Sequence, residues 1–291
     1  MPEEDRFIPN FFKDPPHPHS VPMEERVERT FKMTVAFDGT DYHGWQRQDN
    51  GISVQQILEE RLATLFNVPF MRIQGSSRTD SGVHALGMAV TFKAPLSPYI
   101  PDWKLMKALN RILPPTIKIR EVEIVPDGFN ARFSACGKAY AYVVNTGYLS
   151  PFTDRWSCDV ADIIDLDGIK KGLEYVKGTH DFSPFTIQLK EDKDHVRTIY
   201  ETELKIFGRF LCFHITGNGF LYKMVRAISG TLIEVGRGKI PAENIRLALE
   251  TGDKKYVRDV APGKGLFLLK VFYTPDEWKN HTLDDLPFRM F

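Results

Sequence analysis

Apolar residues in the first half of the chain recur with the periods of strands and helices. A period of two indicates four strands, over residues 31–37, 70–75, 87–93 and 117–122. A helical period indicates two helices, one that begins after the capping residue Ser53 and one from Asp102 to about Ile112. The resulting order, β-α-β-β-α-β, is that of a ferredoxin-like or RRM-like unit.

A related order of elements returns in the second half. Strands are predicted over residues 140–145, 198–207, 210–216 and 266–272, and helices over residues 166–176, 221–235 and 241–249. We therefore predict an α/β protein of the α+β class with two RRM-like halves, preceded by an extended or disordered tail rich in proline. The predicted divisions are a tail (1–30), an N-terminal half (31–126), a C-terminal half (127–274) and a C-terminal extension (275–291).

Charge is balanced over the whole chain but not along it. The 291 residues carry 38 basic and 38 acidic side chains. The acidic excess lies in residues 1–30 and 275–291, so residues 31–274 hold 32 basic and 27 acidic groups. A mildly basic body permits binding of RNA through a local patch but does not require it.

The apolar runs, the N-terminal sequence and the cysteines indicate in which environment the protein works. No apolar run approaches the roughly 20 residues that a membrane span needs, and no N-terminal targeting pattern is present. The three cysteines, Cys136, Cys158 and Cys212, form neither a disulfide framework nor a metal-binding pattern. We expect a cytoplasmic protein that has no metal and no membrane partner.

A polar loop between two apolar runs has the composition of a functional site. Its sequence is Gly75-Ser76-Ser77-Arg78-Thr79-Asp80-Ser81-Gly82-Val83-His84-Ala85. On an extended backbone, Arg78 and Asp80 point the same way and are predicted to pair. An aspartate held by an arginine is kept ionised and oriented, as a nucleophile or general base requires. For a loop taken alone, a purely structural Arg–Asp clasp is the favoured alternative.

The loop at residues 38–48 combines aromatic and polar side chains. Tyr42 and Trp45 offer stacking faces for bases, and Gln46 and Arg47 have groups that bond to base edges and phosphates. The alternative, weighted equally, is that Trp45 plugs the loop onto the core and the polar residues are merely solvated.

A second aromatic stretch lies at residues 129–142. Tyr140 and Tyr142 share one face of a predicted strand, with Arg132 and Lys138 nearby. A tyrosine in a strand is usually a core residue. In an enzyme acting on RNA, such a ring can instead stack on an extruded base.

Residues 217–226 lead into a predicted helix. Lys223 and Arg226 are three apart and lie near one helical face, where they and the helix N-terminus can receive a phosphate. This spacing is common on surface helices and is weak by itself. Arg226 is surrounded in sequence by apolar and small residues, which indicates partial burial and hence a buried anionic partner.

Together these stretches resemble the TruA family of tRNA pseudouridine synthases. The matching segments are residues 42–48, 78–85, 129–135, 140–142, 218–226 and 263–269, in the order of the family. They span roughly residues 31–273, and several such motifs in order are far more specific than any one of them.

The resemblance implies a pseudouridine synthase fold, in which two halves share a mixed, mostly antiparallel sheet with the active-site cleft between them. It implies that Asp80 is the catalytic aspartate, that Arg226 rather than Arg78 is its ion-pair partner, and that Tyr140 stacks on the target uracil. The other substrate-binding residues that we expect are Arg78, Arg47, Gln46, Lys223 and Arg132.

The implied activity is the isomerisation of uridine to pseudouridine at positions 38–40 of the tRNA anticodon arm, without a cofactor. Members of the family typically work as homodimers, and we expect one here. Two alternatives remain open. One is an RNA-binding protein without catalysis, which has no need of Asp80. The other is a hydrolase of small nucleosides or sugars, which usually needs two carboxylates.

Overall fold

The computed structural model describes residues 28–95, 100–187 and 194–290, so most of the predicted tail lies outside the described residues. The strands of the described part are β1 (Glu28–Phe37), β2 (Ile73–Gly75), β3 (His84–Pro95), β4 (Ile117–Val125), β5 (Gly137–Asn145), β6 (Cys158–Asp159), β7 (Gly178–Asp181), β8 (Val196–Phe207), β9 (Phe210–Gly217) and β10 (Leu266–Phe272). Its α-helices are α1 (Val54–Phe66), α2 (Asp102–Ile112), α3 (Leu166–Val176), α4 (Met224–Gly236) and α5 (Glu243–Thr251).

All of these strands belong to one sheet. The order along it is β4-β1-β3-β10-β5-β9-β8-β7, with β2 also paired to β3 and β6 to β5. The pairs β3–β10 and β5–β6 are parallel and the other pairs are antiparallel. The predicted mixed, mostly antiparallel sheet is therefore confirmed.

The two halves repeat one arrangement of four strands. The order β4-β1-β3-β2 in the first half corresponds to β10-β5-β9-β8 in the second. One edge of β3 pairs with β1, and two strands share its other edge. On that second edge β2 pairs with residues 90–92, and β10 pairs with His84 and Ala85. The chain between β2 and β3 therefore lies where the halves join.

The helices form where the sequence provides a cap and an apolar face. Ser53 caps α1 by accepting a hydrogen bond from the Gln56 amide at 3.2 Å, as predicted. Leu58 and Leu62, four residues apart, are fully buried under the sheet. Helix α4 is buried over most of its surface, so its one arginine, Arg226, is held in an apolar setting. None of the helices in the described ranges is long and apolar enough to cross a membrane.

The two faces of β5 are covered by different parts of the chain. Tyr140 and Tyr142 point to the face that carries the helices, whereas Ala139 and Ala141 point to the opposite face. Residues 275–290 pack on that opposite face and bury Leu283 and Leu286. This C-terminal segment is thus part of the core packing, although its sequence is mostly polar.

Several predicted boundaries are wrong by a few residues. Strand β1 begins three residues early, at Glu28, and β3 begins at His84 because its first residues pair with β10. Helix α4 begins at Met224 rather than Leu221, since Lys223 has a left-handed backbone (φ 58°) that a helix cannot contain. Helix α5 begins at Glu243, two residues after the predicted start.

Candidate active site

A cavity of about 680 Å³ opens where the two halves of the sheet meet. Its wall is formed by the loop between β2 and β3, by β5, and by the segment that precedes and begins α4. Seven of the eight predicted site residues line it: Asp80, Arg226, Tyr140, Arg78, Gln46, Lys223 and Arg132. The structure therefore brings together around one cavity seven predicted residues from segments scattered along the chain.

The aspartate loop, residues 76–83, crosses from β2 to β3 at the shared edge of the sheet. Its last part is a tight turn in which the Val83 amide donates to the Asp80 carbonyl at 3.2 Å. Gly82 has the positive φ of 74° that this turn requires. From this loop the Asp80 side chain reaches the second half of the protein.

Asp80 is held by an arginine from the other half. Arg226 Nη1 lies 2.5 Å from Asp80 Oδ2, and Arg226 Nε donates to the Ala261 carbonyl at 2.8 Å. Both side chains are largely buried, with 13% of Arg226 and 19% of Asp80 exposed. The predicted ion pair between these residues is confirmed. Within the described part of the chain Asp80 Oδ1 has no hydrogen-bond partner, so one carboxylate oxygen is open to a reacting group.

The local pairing predicted between Arg78 and Asp80 is wrong. Arg78 is exposed on the cavity wall and forms no ion pair with any described residue. The prediction rested on sequence spacing alone, but the Asp80 carboxylate pairs with Arg226 from the other half and Arg78 is left exposed. Arg78 is consequently available to contact a ligand in the cavity.

Tyr140 lies beside the same loop. Its hydroxyl donates to Ser77 Oγ at 3.3 Å, and its ring meets the edge of Phe220 with the centroids 5.0 Å apart. Burial raises the pKa of Tyr140 to about 12, and the negative charge of Asp80 acts in the same direction. The phenol is therefore neutral at physiological pH and serves as a hydrogen-bond donor and a packing surface.

Comparison with known proteins agrees with this geometry. A protein-family profile described as tRNA pseudouridine synthase matches residues 33–134 and 173–274. The chain belongs to this family. The first matched segment contains the aspartate loop and the second contains α4, so the match includes both members of the Asp80–Arg226 pair.

Individual relatives align over most of their length. The protein named tRNA pseudouridine synthase A from Exiguobacterium sibiricum is 40% identical over 245 residues, covering 84% of this chain and 97% of the relative. The protein of the same name from Anoxybacillus flavithermus is 41% identical over 245 residues, covering 84% and 99%. Among solved structures, a chain of a Cbf5-Nop10-Gar1 complex aligns at 12% identity with a TM-score of 0.34, covering 84% of this chain and 50% of that one. That likeness is too weak to support an argument.

In this member of the pseudouridine synthase family the loop at 38–48 supports the aspartate loop from behind. Trp45 is only 2% exposed and packs against Phe37 with ring centroids 6.1 Å apart. A Cβ at Gly75 would lie 2.5 Å from the Trp45 ring, and the Trp45 amide donates to the Thr79 carbonyl at 3.0 Å. Of the two alternatives for Trp45, its burial supports the plug on the core, although the polar residues beside it are bonded rather than merely solvated.

Gln46 and Arg47 are engaged by α1. Gln46 Nε2 donates to Gln55 Oε1 at 2.7 Å, and Arg47 Nη1 donates to Glu59 Oε2 at 3.1 Å. Gln46 reaches the cavity wall, whereas Arg47 does not. Contacts of these two residues with a substrate remain predictions, and Arg47 is the worse placed because its charge is already paired.

Lys223 and Arg132 lie in the cavity wall without an ion-pair partner among the described residues. Lys223 precedes α4, so the prediction that it shares a helical face with Arg226 is wrong. Its Nζ lies 5.2 Å from the centroid of the Tyr222 ring, and Arg132 lies 5.3 Å from that of Phe133.

The cavity wall contains more cations than the sequence identified. Its basic residues are Arg72, Arg78, Arg132, Lys138, Arg197, Lys223 and Arg226, against the acidic residues Glu59, Asp80 and Asp194. Arg72 and Arg197 carry no signal in the sequence, whereas Lys138 is evident there as a neighbour of Tyr140, with which it shares a strand face. A nearly neutral chain thus concentrates positive charge where RNA would bind.

Potential metal ligands are not grouped in this region. In residues 28–95, 100–187 and 194–290, no three or more His, Cys, Asp or Glu side chains are placed to hold a metal ion.

Proposed function

We propose that this protein is a tRNA pseudouridine synthase with Asp80 as its catalytic carboxylate. The observation that carries this proposal is the Asp80–Arg226 pair at 2.5 Å in a cavity whose charged lining residues are mainly cations. An RNA-binding protein without catalysis has no use for a carboxylate in such a cavity, because it repels phosphate.

The reaction breaks the bond between uracil N1 and ribose C1′ and forms a bond between uracil C5 and the same C1′. The proton on C5 leaves and N1 gains one, so the change is an isomerisation that consumes no co-reactant. Asp80 serves either by attacking the ribose or by removing a sugar proton, and its open oxygen suits both routes. The nucleoside hydrolase alternative is disfavoured because the other two carboxylates in the wall are engaged: Glu59 is bonded to Arg47 and Gln55, and Asp194 Oδ1 accepts a hydrogen bond from the Val196 amide at 2.8 Å.

Tyr140 is proposed to stack on the target uracil. The base must leave its helical stack to reach Asp80, which costs a few kcal/mol that contacts in the pocket offset. The Tyr140 ring is fixed for that purpose by Phe220 and by the bond to Ser77.

The finer parts of the proposal rest on the family resemblance. They are action at positions 38–40 of the anticodon arm, a cytoplasmic location, a homodimer in which one tRNA contacts both subunits, and a division into halves at residues 31–126 and 127–274. The names of the similar bacterial proteins support a tRNA substrate. A dimer would combine two cationic cavities into one surface for a long polyanion.

Tritium release tests the proposed reaction. A tRNA labelled at C5 of uracil loses tritium when the C5–C1′ bond forms, so the native protein is expected to release label and Asp80→Asn is not. No release by the native protein from any tRNA would refute the proposed activity. Equal release by the variant would refute the role of Asp80. Replacing single uridines tests the position, and light scattering at micromolar concentration tests the dimer.

A further inference from the structure

Lys138 occupies a place in the cavity that the Asp80 chemistry does not explain. It lies on β5 two residues before Tyr140, on the same face of the strand, and its side chain lines the cavity. Lys138 Nζ donates to the Ser76 carbonyl at 2.8 Å. An ammonium has three N–H groups, so two remain to be satisfied.

The positive charge of Lys138 has no anionic partner in the described part of the chain. Burial lowers the pKa of Lys138 to about 8, and the neighbouring positive charge of Arg132 lowers it further. Two cations near the site, Arg226 and Arg47, differ in this respect, since Arg226 pairs with Asp80 and Arg47 with Glu59. A partly desolvated cation that lacks a carboxylate is satisfied by an anion from a ligand.

Arg132 completes the arrangement. Its guanidinium forms no ion pair or hydrogen bond with a described residue and rests against Phe133, which is 77% exposed. A guanidinium fork and an ammonium together suit a phosphate group, the first through paired donors and the second as a point charge. Phe133 adds an exposed ring on which a base can stack.

We propose that Lys138 and Arg132 form a binding subsite for one backbone phosphate of the RNA, next to the nucleotide that enters the cavity. The subsite lies beside the target base because Lys138 bonds to Ser76 and Tyr140 bonds to the adjacent Ser77. It deepens the proposed function and rests on it. The competing account is that Lys138 only fastens the aspartate loop to β5.

Neutral phosphate analogues separate these two accounts. A series of tRNAs is prepared, each with a single methylphosphonate at one position near the target uridine, and Kd is measured for each by fluorescence anisotropy. With the native protein we expect one position at which removal of the phosphate charge weakens binding by about tenfold. In Lys138→Met, binding of unmodified tRNA weakens by a similar factor, and the same methylphosphonate has no further effect.

Arg132→Gln is the second variant, and because Arg132 is exposed its removal leaves the packing intact. It is expected to reduce the same methylphosphonate effect at the same position. Lys279→Met is the matched control, because Lys279 is exposed and lies in the segment on the opposite face of the sheet. In this variant each methylphosphonate should change Kd by the same factor as in the native protein.

The subsite is supported if the effects of the substitution and of the methylphosphonate on Kd fail to add at one phosphate position. If every methylphosphonate weakens binding equally in the native protein, Lys138→Met and Arg132→Gln, the subsite is refuted and Lys138 has only the fastening role. Because the readout is affinity, this outcome is distinct from failure of the proposed reaction, which tritium release by the native protein measures. If Lys138→Met does not fold, Arg132→Gln alone decides.

Discussion

Arg226 and Asp80, 146 residues apart in the chain, form an ion pair whose atoms lie 2.5 Å from each other. Arg226 is fixed in turn by its Nε bond to the Ala261 carbonyl. The pair joins a helix of the second half to a loop of the first. Its geometry orients the carboxylate and leaves the second oxygen open to the cavity.

Asp80→Asn is expected to abolish tritium release, with a loss of about 10³-fold or more, because an amide of the same shape can neither attack nor accept a proton as a carboxylate does. Binding of tRNA should change by less than about fivefold, since the substitution removes a negative charge from a cationic cavity. Release and anisotropy measured on the same preparation check both statements. Substantial residual release would mean that another group acts as the catalyst.

Arg226→Gln is expected to lower kcat by about 10²-fold and to alter KM little, because Asp80 remains in the site but loses its orientation. Arg226→Lys restores the charge without the bond from Nε to Ala261 and should recover only part of the rate. Arg246→Gln, which breaks an exposed pair with Glu250, is the matched control. A rise in KM with unchanged kcat would assign Arg226 to substrate binding instead.

Gly44→Ala is expected to disturb the aspartate loop. Gly44 has φ of 81°, and a Cβ there would lie 2.6 Å from the Thr79 carbonyl. Gly128 has a similar φ of 92°, but a Cβ there would have no atom within 4 Å. Gly128→Ala therefore introduces backbone strain without a steric clash. We expect Gly128→Ala to cost about 1 kcal/mol of unfolding free energy and Gly44→Ala at least 1 kcal/mol more. Urea unfolding measures the loss of unfolding free energy in each variant. Equal losses would mean that the aspartate loop shifts to admit the Cβ at residue 44 without a further loss of stability.

Tyr140→Phe is expected to keep the affinity for tRNA within about threefold, whereas Tyr140→Ala loses the stacking surface and about tenfold or more in affinity. Because the pKa of Tyr140 is raised to about 12, its hydroxyl does not titrate between pH 6 and 9. The pH dependence of kcat in that range should be the same in Tyr140→Phe as in the native protein. A pH-dependent step that disappears in Tyr140→Phe would show that the phenol takes part in proton transfer.

His214 makes stability depend on pH. It is 3% exposed on β9, its ring centroid lies 5.3 Å from that of His281, and its Nε2 has no hydrogen-bond partner among the described residues. Burial, followed by the charge of His281, lowers the pKa of His214 to about 4 from an ordinary value of 6.5. The folded state therefore resists a proton that the unfolded state accepts, and stability is lost as pH falls through 6.5 toward 4.

From pH 7 to pH 5 this loss amounts to about 2 kcal/mol. Urea unfolding at the two pH values measures it, and His214→Gln should show a smaller difference than the native protein. An unchanged difference in the variant would assign the pH dependence to other groups. His281, whose pKa burial also lowers, contributes in the same direction.

The sequence predicted what is local. Apolar periodicity located the longer strands and helices, and Ser53 marked the start of α1 because its hydroxyl caps the chain beside it. The apolar neighbours of Arg226 correctly indicated a buried anionic partner. The short strands β6 and β7 carried no usable period over two and four residues.

Other features depend on contacts that no local pattern encodes. The pairing predicted for Arg78 failed because Asp80 pairs with Arg226, which is 146 residues away in the chain, and the position predicted for Lys223 failed because its backbone is left-handed. The sequence around Trp45 is compatible with two interpretations equally, and its contact with Gly75 distinguishes them. The parallel pairing of β3 with β10, which creates the site, joins segments about 180 residues apart and is not expressed in the pattern of either strand.

That pairing has a consequence for synthesis on the ribosome. Strand β10 is the last described strand in chain order, yet it lies between β3 and β5 and hydrogen-bonds to both. An emerging chain that has released the aspartate loop, the Tyr140 strand and Arg226 still lacks the strand that holds the two halves together. Each half can gain structure as it emerges, but the cavity is completed only when residues 266–272 leave the exit tunnel. A nascent chain arrested before that point should hold every catalytic side chain and no catalytic site.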